Sequence, residues 1–427
     1  RLRGGGGGGG RAAPPPPAPP PPRPPGGGER GGGGGAGGGG RAAPPPPPPT
    51  AAQTLRREGF AGEIVLVGAE PDLPYRRPTV SKDLLAGTGT IERAALKPAT
   101  FWAESRIDLR PGVTAEAVDT DRATVRLATG ETLGYDSLLL ATGARARTLD
   151  TASTRVHTLR ARADIEALRA AVTTGGSLLI IGGGLIGCEV AATARGLGAR
   201  VTLLNAGPAL MDRVLPAPVS ALLQRRHVEY GVRVENDVVT TELVDTEGGV
   251  TAVAADGRTW SAAAALVAIG SVPDTALAEA AGITVNDGIV VDHHHRTSAH
   301  NVFAAGDATT VYHPLRGAYE RPQHWNSAVS AGAAAAMSLL GLPAATAEIP
   351  WGWTDQHGRS LQFAGWVHPH DELIVDGDLD SGEFLVTALH QGIPVGAVAM
   401  ARPRDLRATR TLIDAGRPYR TPAVPAP

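Results

Sequence analysis

The chain has 427 residues and a formal net charge of −2, and its first 49 residues differ from the rest. Those 49 residues contain 19 Gly and 16 Pro, carry a net charge of +5, and hold too few bulky apolar residues to build a core. The other 378 residues have an ordinary globular composition and a net charge of −7, which argues against a general nucleic-acid-binding protein.

The sequence contains one cysteine, Cys188. A single thiol excludes an internal disulfide, a Cys-x-x-Cys redox pair and a zinc or iron–sulfur site built from cysteines. The run His293–His295 is a poor metal site, because neighbouring residues on a strand point to opposite faces. The sequence has no apolar run of 18 residues and no signal-peptide core, so we expect no metal, no membrane segment and a cytoplasmic protein.

Residues 1–50 are predicted to form a low-complexity, disordered tail. Its glycine blocks favour flexible coil, and proline blocks such as Pro44–Pro49 favour polyproline II. Gly31–Gly40 contains a G-x-G-x-x-G pattern, but no strand precedes it and the prolines argue against a following helix, so we assign it no binding role. Two origins stay open for the tail: a natural linker, or GC-rich DNA read out of frame.

After the tail, the chain begins with the second half of a nucleotide-binding unit. Ala51–Glu58 predicts the end of a helix, and Ile64–Val67 predicts a buried strand. Glu70 follows that strand, at the position where a carboxylate accepts hydrogen bonds from a ribose. The first strand and glycine turn of such a unit would lie just before Ala51, where the tail stands.

A complete unit follows later. It consists of a strand, a glycine turn, a helix and a second strand, predicted at Ser177–Ile181, Gly182–Gly187, Cys188–Leu197 and Val201–Leu204. In this context Gly182 permits a tight turn, Gly184 lets a pyrophosphate approach the backbone, and Gly187 allows the helix to pack closely on the strand. The pattern therefore predicts a dinucleotide-binding site.

The residue after the second strand bears on the choice of dinucleotide. Asn205 stands where a carboxylate usually contacts the ribose. Asparagine bonds a hydroxyl more weakly than a carboxylate does and no longer repels a 2′-phosphate, yet no arginine follows it directly. We favour NADH, and NADPH remains open.

Three further apolar runs end at glycine turns. Leu138–Gly143 and Leu266–Gly270 resemble each other, as expected where a chain crosses between two nested dinucleotide-binding domains. Val302–Asp307 is a strand that delivers Asp307 to a glycine turn. Asp307 either accepts a hydrogen bond from a cofactor hydroxyl or caps a following helix.

The chain from about Ala51 to Pro418 resembles the FAD-dependent, NADH-linked ferredoxin and rubredoxin reductases, which serve bacterial cytochrome P450 and ring-hydroxylating dioxygenase systems. The segments that carry the resemblance are Pro74–Lys82, Gly182–Glu189, Val302–Asp307 and Pro350–Gln356. The last of these, with the sequence PWGWTDQ, is the most specific.

The resemblance implies an α/β fold with two nested Rossmann-like dinucleotide-binding domains and a C-terminal α+β domain. FAD would lie on residues 51–143 and 271–345, NADH on 144–270, and the reductase domain would occupy 346–427. The cofactors would carry the chemistry, passing electrons from NAD(P)H through FAD to an iron–sulfur ferredoxin or rubredoxin.

The resemblance also implies roles for individual residues. For FAD, Glu70 would contact the adenosine ribose, Asp307 the ribityl chain, and Arg160 a further part of the cofactor. Lys82 would lie near the flavin ring and Trp325 against the isoalloxazine. Glu189 would lie near the nicotinamide of NADH. Lys82 and Glu189 are the catalytic candidates, and the cofactor-binding set is completed by Gly182, Gly184, Gly187, Asn205 and Gly270. Each of three residues also has a purely structural alternative. Lys82 would be a surface lysine, Glu189 a carboxylate on a helix surface, and Trp325 a core residue.

Three departures from the family pattern stand out, and the first of them, the missing FAD glycine turn, predicts poor folding or weak FAD binding. The FAD glycine turn is missing, Asn205 replaces an acid, and Arg76 and Gln323–His324 replace residues that are usually Glu and Glu-Ser. Two other functions therefore stay open: another FAD- and NAD(P)H-dependent oxidoreductase, such as an NADH oxidase or small-molecule reductase, or a non-catalytic homologue. The basic stretch Arg402–Arg420 suggests a docking face for an acidic ferredoxin.

Overall fold

The computed structural model describes residues 47–172, 175–343 and 348–419. The tail prediction for residues 1–46 lies outside them. The helices are α1 (Pro47–Arg57), α2 (Asp83–Ala86), α3 (Ile91–Ala94), α4 (Ala99–Glu104), α5 (Ala163–Ala171), α6 (Leu185–Gly196), α7 (Ala217–Glu229), α8 (Ala276–Ala280), α9 (Trp325–Leu339) and α10 (Pro403–Ala415), with a 3-10 helix at Arg77–Ser81. None of the described helices combines the length and the apolarity needed to cross a bilayer.

The first part of the chain contributes short strands to several small sheets. These strands are β1 (Val65–Gly68), β2 (Asp108–Pro111), β3 (Ala115–Asp119), β4 (Thr124–Leu127), β5 (Thr132–Gly134), β6 (Leu138–Leu140) and β7 (Ala144–Ala146). β1 pairs in parallel with β2, and β3, β4 and β5 form an antiparallel meander.

A five-stranded parallel sheet forms the centre of the second part. The strands are β8 (Val156–His157), β9 (Ser177–Ile181), β10 (Arg200–Leu204), β11 (Val232–Glu235), β12 (Thr240–Thr246), β13 (Gly249–Ala254), β14 (Thr259–Ala262) and β15 (Ala264–Val267). The parallel sheet has the order β11-β10-β9-β15-β8, and β12, β13 and β14 form a separate antiparallel sheet. β9 lies at the centre of the parallel sheet. Its sequence is a continuous apolar run because a central strand is covered on both faces.

The chain then returns to the first part. Its strands there are β16 (Ser271–Pro273), β17 (Ile289–Val291), β18 (Val302–Ala304), β19 (Thr309–His313) and β20 (Ala318–Glu320). β18 pairs in parallel with β6, and β16 pairs antiparallel with β7. The glycine turns at Gly143 and Gly270 thus lie side by side, and the amide of Asp274 donates to the Gly143 carbonyl.

The C-terminal part is an antiparallel sheet covered by α10. Its strands are β21 (Trp351–Gln356), β22 (Arg359–Gly365), β23 (Glu372–Asp378), β24 (Glu383–His390) and β25 (Ile393–Met400), in the order β21-β22-β25-β24-β23. Side chains of all three parts, among them Leu85, Leu203 and Phe384, belong to one continuous apolar core. The predicted α/β class with a C-terminal α+β domain is confirmed, while the predicted domain boundaries remain predictions.

The start of α1 differs from the sequence expectation. The prediction of polyproline II is wrong at Pro47–Pro49, because these residues form the first turn of α1. The amides of the first helical turn have no intrahelical partner, so prolines are tolerated there. Pro47 is packed tightly, since a Cβ added to Gly306 or Gly332 would lie 2.6 or 2.5 Å from its atoms.

The histidine run also differs from expectation. His293–His295 lies in a turn after β17, and not on a strand. His295 is bonded through Nδ1 to the carbonyl of Ala304 at 3.2 Å, and burial lowers its pKa. The three imidazoles therefore have different surroundings.

We expect Gly187→Ala to lower the free energy of unfolding by about 1–3 kcal/mol, because its Cβ would lie 1.9 Å from the Gly182 carbonyl oxygen and the backbone must shift. Gly184→Ala is the matched control in the same turn, since a Cβ there meets no atom within 4 Å. Thermal unfolding followed by circular dichroism compares the two. Equal melting temperatures would contradict this account of the turn.

Candidate functional site

Ten of the eleven predicted site residues line one continuous cleft. They are Glu70, Lys82, Arg160, Gly182, Gly184, Glu189, Asn205, Gly270, Asp307 and Trp325. The eleventh, Gly187, lies beneath the glycine turn, where the Gly182 carbonyl leaves no room for a side chain. The fold therefore brings together residues that are up to 255 positions apart in the sequence.

The glycine turn presents the start of α6 to the cleft. Gly182 has φ +114°, and a Cβ there would lie 2.3 Å from the Ala268 carbonyl oxygen. Gly184 stands at the N-cap of α6, makes no side-chain cap and faces open space. Unpaired amides at a helix start attract anions, so this turn has the room and the donors that a pyrophosphate needs.

Asn205 follows β10 and is buried. Its Nδ2 donates to the carbonyl oxygens of Gly207 and Ala209 at 2.9 Å each, and to Oδ1 of Asn236 at 3.1 Å. These bonds commit the amide to the loop that borders the cleft. A carboxylate at this position would face the same carbonyl oxygens without a proton to donate.

Lys82 and Glu189 form a buried ion pair. Lys82 follows the 3-10 helix and donates from Nζ to Glu189 Oε2 at 2.6 Å, and Glu189 is only 3% exposed. Ser81 donates to the same carboxylate oxygen, and Thr354 donates to the other at 2.8 Å. Neither the surface lysine nor the helix-surface carboxylate that the sequence left open describes this pair.

Asp307 forms a second ion pair in the cleft. Its carboxylate lies 2.6 Å from Nη2 of Arg160, and its side chain is 13% exposed. The segment after Asp307 is strand β19, so the alternative of a helix N-cap is wrong. Gly306, with φ +83°, turns the chain so that Asp307 faces the cleft.

Glu70 is already engaged by neighbours that the sequence analysis did not assign. Arg77 forms an ion pair with one carboxylate oxygen, and Tyr75 donates to the other at 2.7 Å. Burial raises the pKa of Glu70, but the charge of Arg77 and these hydrogen bonds outweigh it and the pKa is lowered. Arg77 and Tyr75 lie within the Pro74–Lys82 segment, whose pattern predicts a role for Lys82 but not for these two side chains.

Trp325 begins α9 and borders the cleft. Its indole Nε1 is buried and has no hydrogen-bond partner within the described part of the chain. His324, one of the residues that depart from the family pattern, packs edge-on against Phe363 at 5.2 Å, and burial lowers its pKa. A bound molecule with an acceptor atom would satisfy the indole N–H.

The residues fit a nicotinamide dinucleotide and the flavin end of FAD. Gly184 offers open space at the start of α6, and the indole N–H of Trp325 lacks an acceptor within the described ranges. The start of α1 fits the FAD pyrophosphate less well. Pro47–Pro49 line the cleft, and proline has no amide N–H to donate.

Two family descriptions match the chain. Residues 35–332 match "Pyridine nucleotide-disulphide oxidoreductase", and residues 351–426 match "Reductase C-terminal". The first match begins at residue 35, inside the predicted tail, and so earlier than the start at Ala51 that the resemblance suggested.

Curated relatives match most of the chain. The ferredoxin–NAD(+) reductase component of an anthranilate 1,2-dioxygenase system from Burkholderia cepacia is 39% identical, over 86% of this chain and 91% of the relative. The ferredoxin reductase component of a chlorobenzene dioxygenase from a Cupriavidus strain is 38% identical, over 85% of this chain and 89% of the relative.

Solved structures agree. A covalent complex of putidaredoxin reductase with putidaredoxin gives a TM-score of 0.82 at 32% identity, over 86% of this chain and 91% of that chain. A ferredoxin reductase from Rhodopseudomonas palustris gives 0.83 at 29% identity, over 87% and 92%. The predicted family is confirmed. The chain belongs to the pyridine nucleotide-disulphide oxidoreductase family, in the group that carries a reductase C-terminal domain.

Proposed function

We propose that this protein passes electrons from NADH through FAD to an iron–sulfur ferredoxin of an oxygenase system. The observation that carries the proposal is the buried pair of Lys82 and Glu189, which lies on the same cleft as the glycine turn and Trp325. The relatives named above are ferredoxin reductases, and they support the predicted enzyme class, cofactors and partner. Since NADH is a cytoplasmic metabolite, we also propose that the protein works in the cytoplasm.

The reaction balances with one proton released. One NADH and two oxidised ferredoxins yield NAD⁺, one proton and two reduced ferredoxins. FAD, when bound, supplies the change from a two-electron donor to one-electron acceptors. The chain holds the ammonium group of Lys82 and the carboxylate of Glu189 together in a site largely closed to water. Fixed charges act more strongly there than in water, and the cation favours negative charge beside it.

Cysteine chemistry is not supported as the route by which electrons leave. Cys188 is fully buried in α6, and burial raises the pKa of its thiol. A thiol of this kind is a poor nucleophile. A solved water-forming NADH oxidase from Lactobacillus brevis and an engineered water-forming NADPH oxidase resemble this chain at 18% and 17% identity, and this likeness shows the fold alone.

The proposed function is tested with the purified full chain, reconstituted with FAD. We expect flavin absorbance, bleaching of that absorbance by NADH under anaerobic conditions, and reduction of a purified iron–sulfur ferredoxin from a bacterial dioxygenase system. Ferricyanide serves as the acceptor control, because it takes electrons from a reduced flavin without specific docking. Reduction of ferricyanide and oxygen but not of any ferredoxin would favour the oxidase alternative, and a protein that stays colourless would overturn the proposal.

We expect Lys82→Gln to slow the reduction of bound flavin by NADH by about 10²-fold, because it removes the cation that the site holds beside the developing charge. Lys97→Gln is the control, since Lys97 is the only other lysine and lies over the ring of Phe101 away from the cleft. Stopped-flow absorbance measures both rates. Equal rates in the two variants would contradict a role for Lys82.

The double substitution Pro48→Ala/Pro49→Ala should tighten FAD binding about tenfold or more. It restores two amides at the start of α1, and hydrogen bonds to a charged group contribute about 1.5–3 kcal/mol each. Pro47 is kept because of its packing against Gly306 and Gly332. Pro403→Ala, at the start of α10, is the control for general effects of proline removal. Equilibrium dialysis of FAD against apoprotein gives the dissociation constants, and an unchanged value for the double variant would show that the prolines do not limit binding.

The rate of ferredoxin reduction should fall as ionic strength rises, if α10 helps to attract an acidic partner. Arg402 and Arg410 are tied to acidic neighbours, whereas Arg404 and Arg407 are exposed and form no ion pair within the described residues. The double variant Arg404→Glu/Arg407→Glu should lower the second-order rate constant at low salt and flatten its salt dependence. Ferricyanide reduction is the internal control. A rate in the unmodified protein that does not change with ionic strength would contradict a role for α10 in docking the ferredoxin.

A further inference from the structure

A continuous row of hydrogen bonds leads from Glu189 to His357 by way of the C-terminal domain, and all but the last of these bonds are buried. Thr354 Oγ1 donates to Glu189 Oε1 at 2.8 Å, and Gln356 Nε2 donates to Thr354 Oγ1 at 3.0 Å. Gln356 Oε1 lies 2.9 Å from His227 Nε2, and His227 Nδ1 lies 3.0 Å from His357 Nε2. Thr354, Gln356 and His227 are 1%, 5% and 0% exposed.

The bonds in this row share one direction. The side-chain oxygen of Gln356 only accepts, so His227 donates to it from Nε2, and His227 Nδ1 then accepts from His357. Burial lowers the pKa of both histidines, that of His357 to about 4, which keeps each imidazole neutral near pH 7 with one donor and one acceptor nitrogen. Every donor therefore points towards the carboxylate of Glu189.

The row crosses between two parts of the molecule. Thr354 and Gln356 alternate on β21 with side chains that are more exposed, so both face α6 and α7. Glu189 belongs to α6 and His227 to α7. The row ends at His357, whose ring stacks on Tyr230 with 4.2 Å between ring centroids.

We propose that Thr354 is a positioning residue for the reaction, acting on the nicotinamide end of the cleft through Glu189. Its hydroxyl accepts a hydrogen bond from Gln356, so the hydroxyl proton is directed at Glu189 Oε1. Lys82 and Ser81 bond the other carboxylate oxygen, and Thr354 is the partner from the far side that fixes the rotation of the carboxylate. The proposal rests on the proposed function.

The consequence is that the C-terminal domain acts on Glu189, and so on the cofactor site, through the hydroxyl of Thr354. Without the Thr354 hydroxyl, Glu189 Oε1 keeps no partner that the described residues provide. A buried carboxylate with an unsatisfied oxygen is costly, so it rotates or draws Lys82 out of place. The rate of flavin reduction then falls while NADH binding through the glycine turn is preserved.

The test compares Thr354→Val with Thr387→Val. The two threonines are equally buried, at 1% exposure, and belong to the same sheet, but the hydroxyl of Thr387 has no hydrogen-bond partner in the described structure. We expect Thr354→Val to slow flavin reduction at saturating NADH about tenfold, with little change in the NADH concentration that gives half the maximal rate. Thr387→Val should reduce its flavin as fast as the unmodified protein does. Thr354→Ser should retain most of that rate, because serine keeps the hydroxyl.

A second readout needs no cofactor. The infrared difference spectrum between the unmodified apoprotein and Glu189→Gln identifies the carboxylate band of Glu189. We expect Thr354→Val to shift that band, through loss of one hydrogen bond, and Thr387→Val to leave it in place. This measurement also separates the two proposals. If the band shifts but the protein shows no activity with NADH, the proposed function is contradicted, whereas the hydrogen bond by which Thr354 positions Glu189 is not.

Gln356→Met gives a further variant in case Thr354→Val does not fold. It removes the bond that orients the Thr354 hydroxyl, so it should produce a smaller change in the same direction in both readouts. The proposal is overturned if Thr354→Val, or Gln356→Met in its place, keeps both the rate and the carboxylate band of the unmodified protein. It is also overturned if Thr387→Val slows flavin reduction as much as Thr354→Val does.

Discussion

Glu189 is the constraint on which the other parts of the site depend. A carboxylate with 3% exposure has lost most of its hydration, and a cost of several kcal/mol must be offset by partners inside the protein. Those partners come from different parts of the chain: Lys82 and Ser81 from the first, and Thr354 from the last. The second part, which contains α6, supplies the carboxylate itself. All three parts must be docked before the charge is stabilised.

The compact glycine turn before α6 helps to bring Glu189 to these partners. Gly187 lets α6 lie directly against the Gly182 carbonyl, and this close approach sets the height of the helix over β9. Glu189 is two residues further along α6, so its depth in the molecule follows from the same packing. One backbone contact thus places both the start of α6, which suits a pyrophosphate, and the carboxylate that reaches Lys82.

The local parts of this arrangement could be predicted from the sequence. Ser177–Ile181 is an apolar run between glycines, and the strand has the bounds that this pattern indicates. The start of α1 is hidden in the sequence because a proline block favours polyproline II, although the first turn of a helix needs no amide donors. The predicted roles of individual site residues remain predictions.

The long-range partners carried no comparable signal. Thr354 and Glu189 are 165 positions apart, and no local pattern states that one hydroxyl will meet one carboxylate. The alternation of Thr354 and Gln356 on a strand was visible, but which helix that face would meet depends on how the domains pack. Arg77 likewise lies in a recognised segment, yet its pairing with Glu70 follows from the turn between them.

Two of the helix starts that face the cleft, those of α1 and α6, differ in what they offer a dinucleotide. α6 begins at an open glycine with amides free to donate, whereas α1 begins with three residues that have no amide N–H. The start of α6 is therefore a preformed anion site, as predicted for the nicotinamide dinucleotide. The Asp307–Arg160 pair, Trp325 and the Lys82–Glu189 pair, for which contacts with FAD or the nicotinamide are predicted, line the same cleft. Since these groups come from different parts of the chain, their arrangement depends on how those parts pack together more than on any single loop.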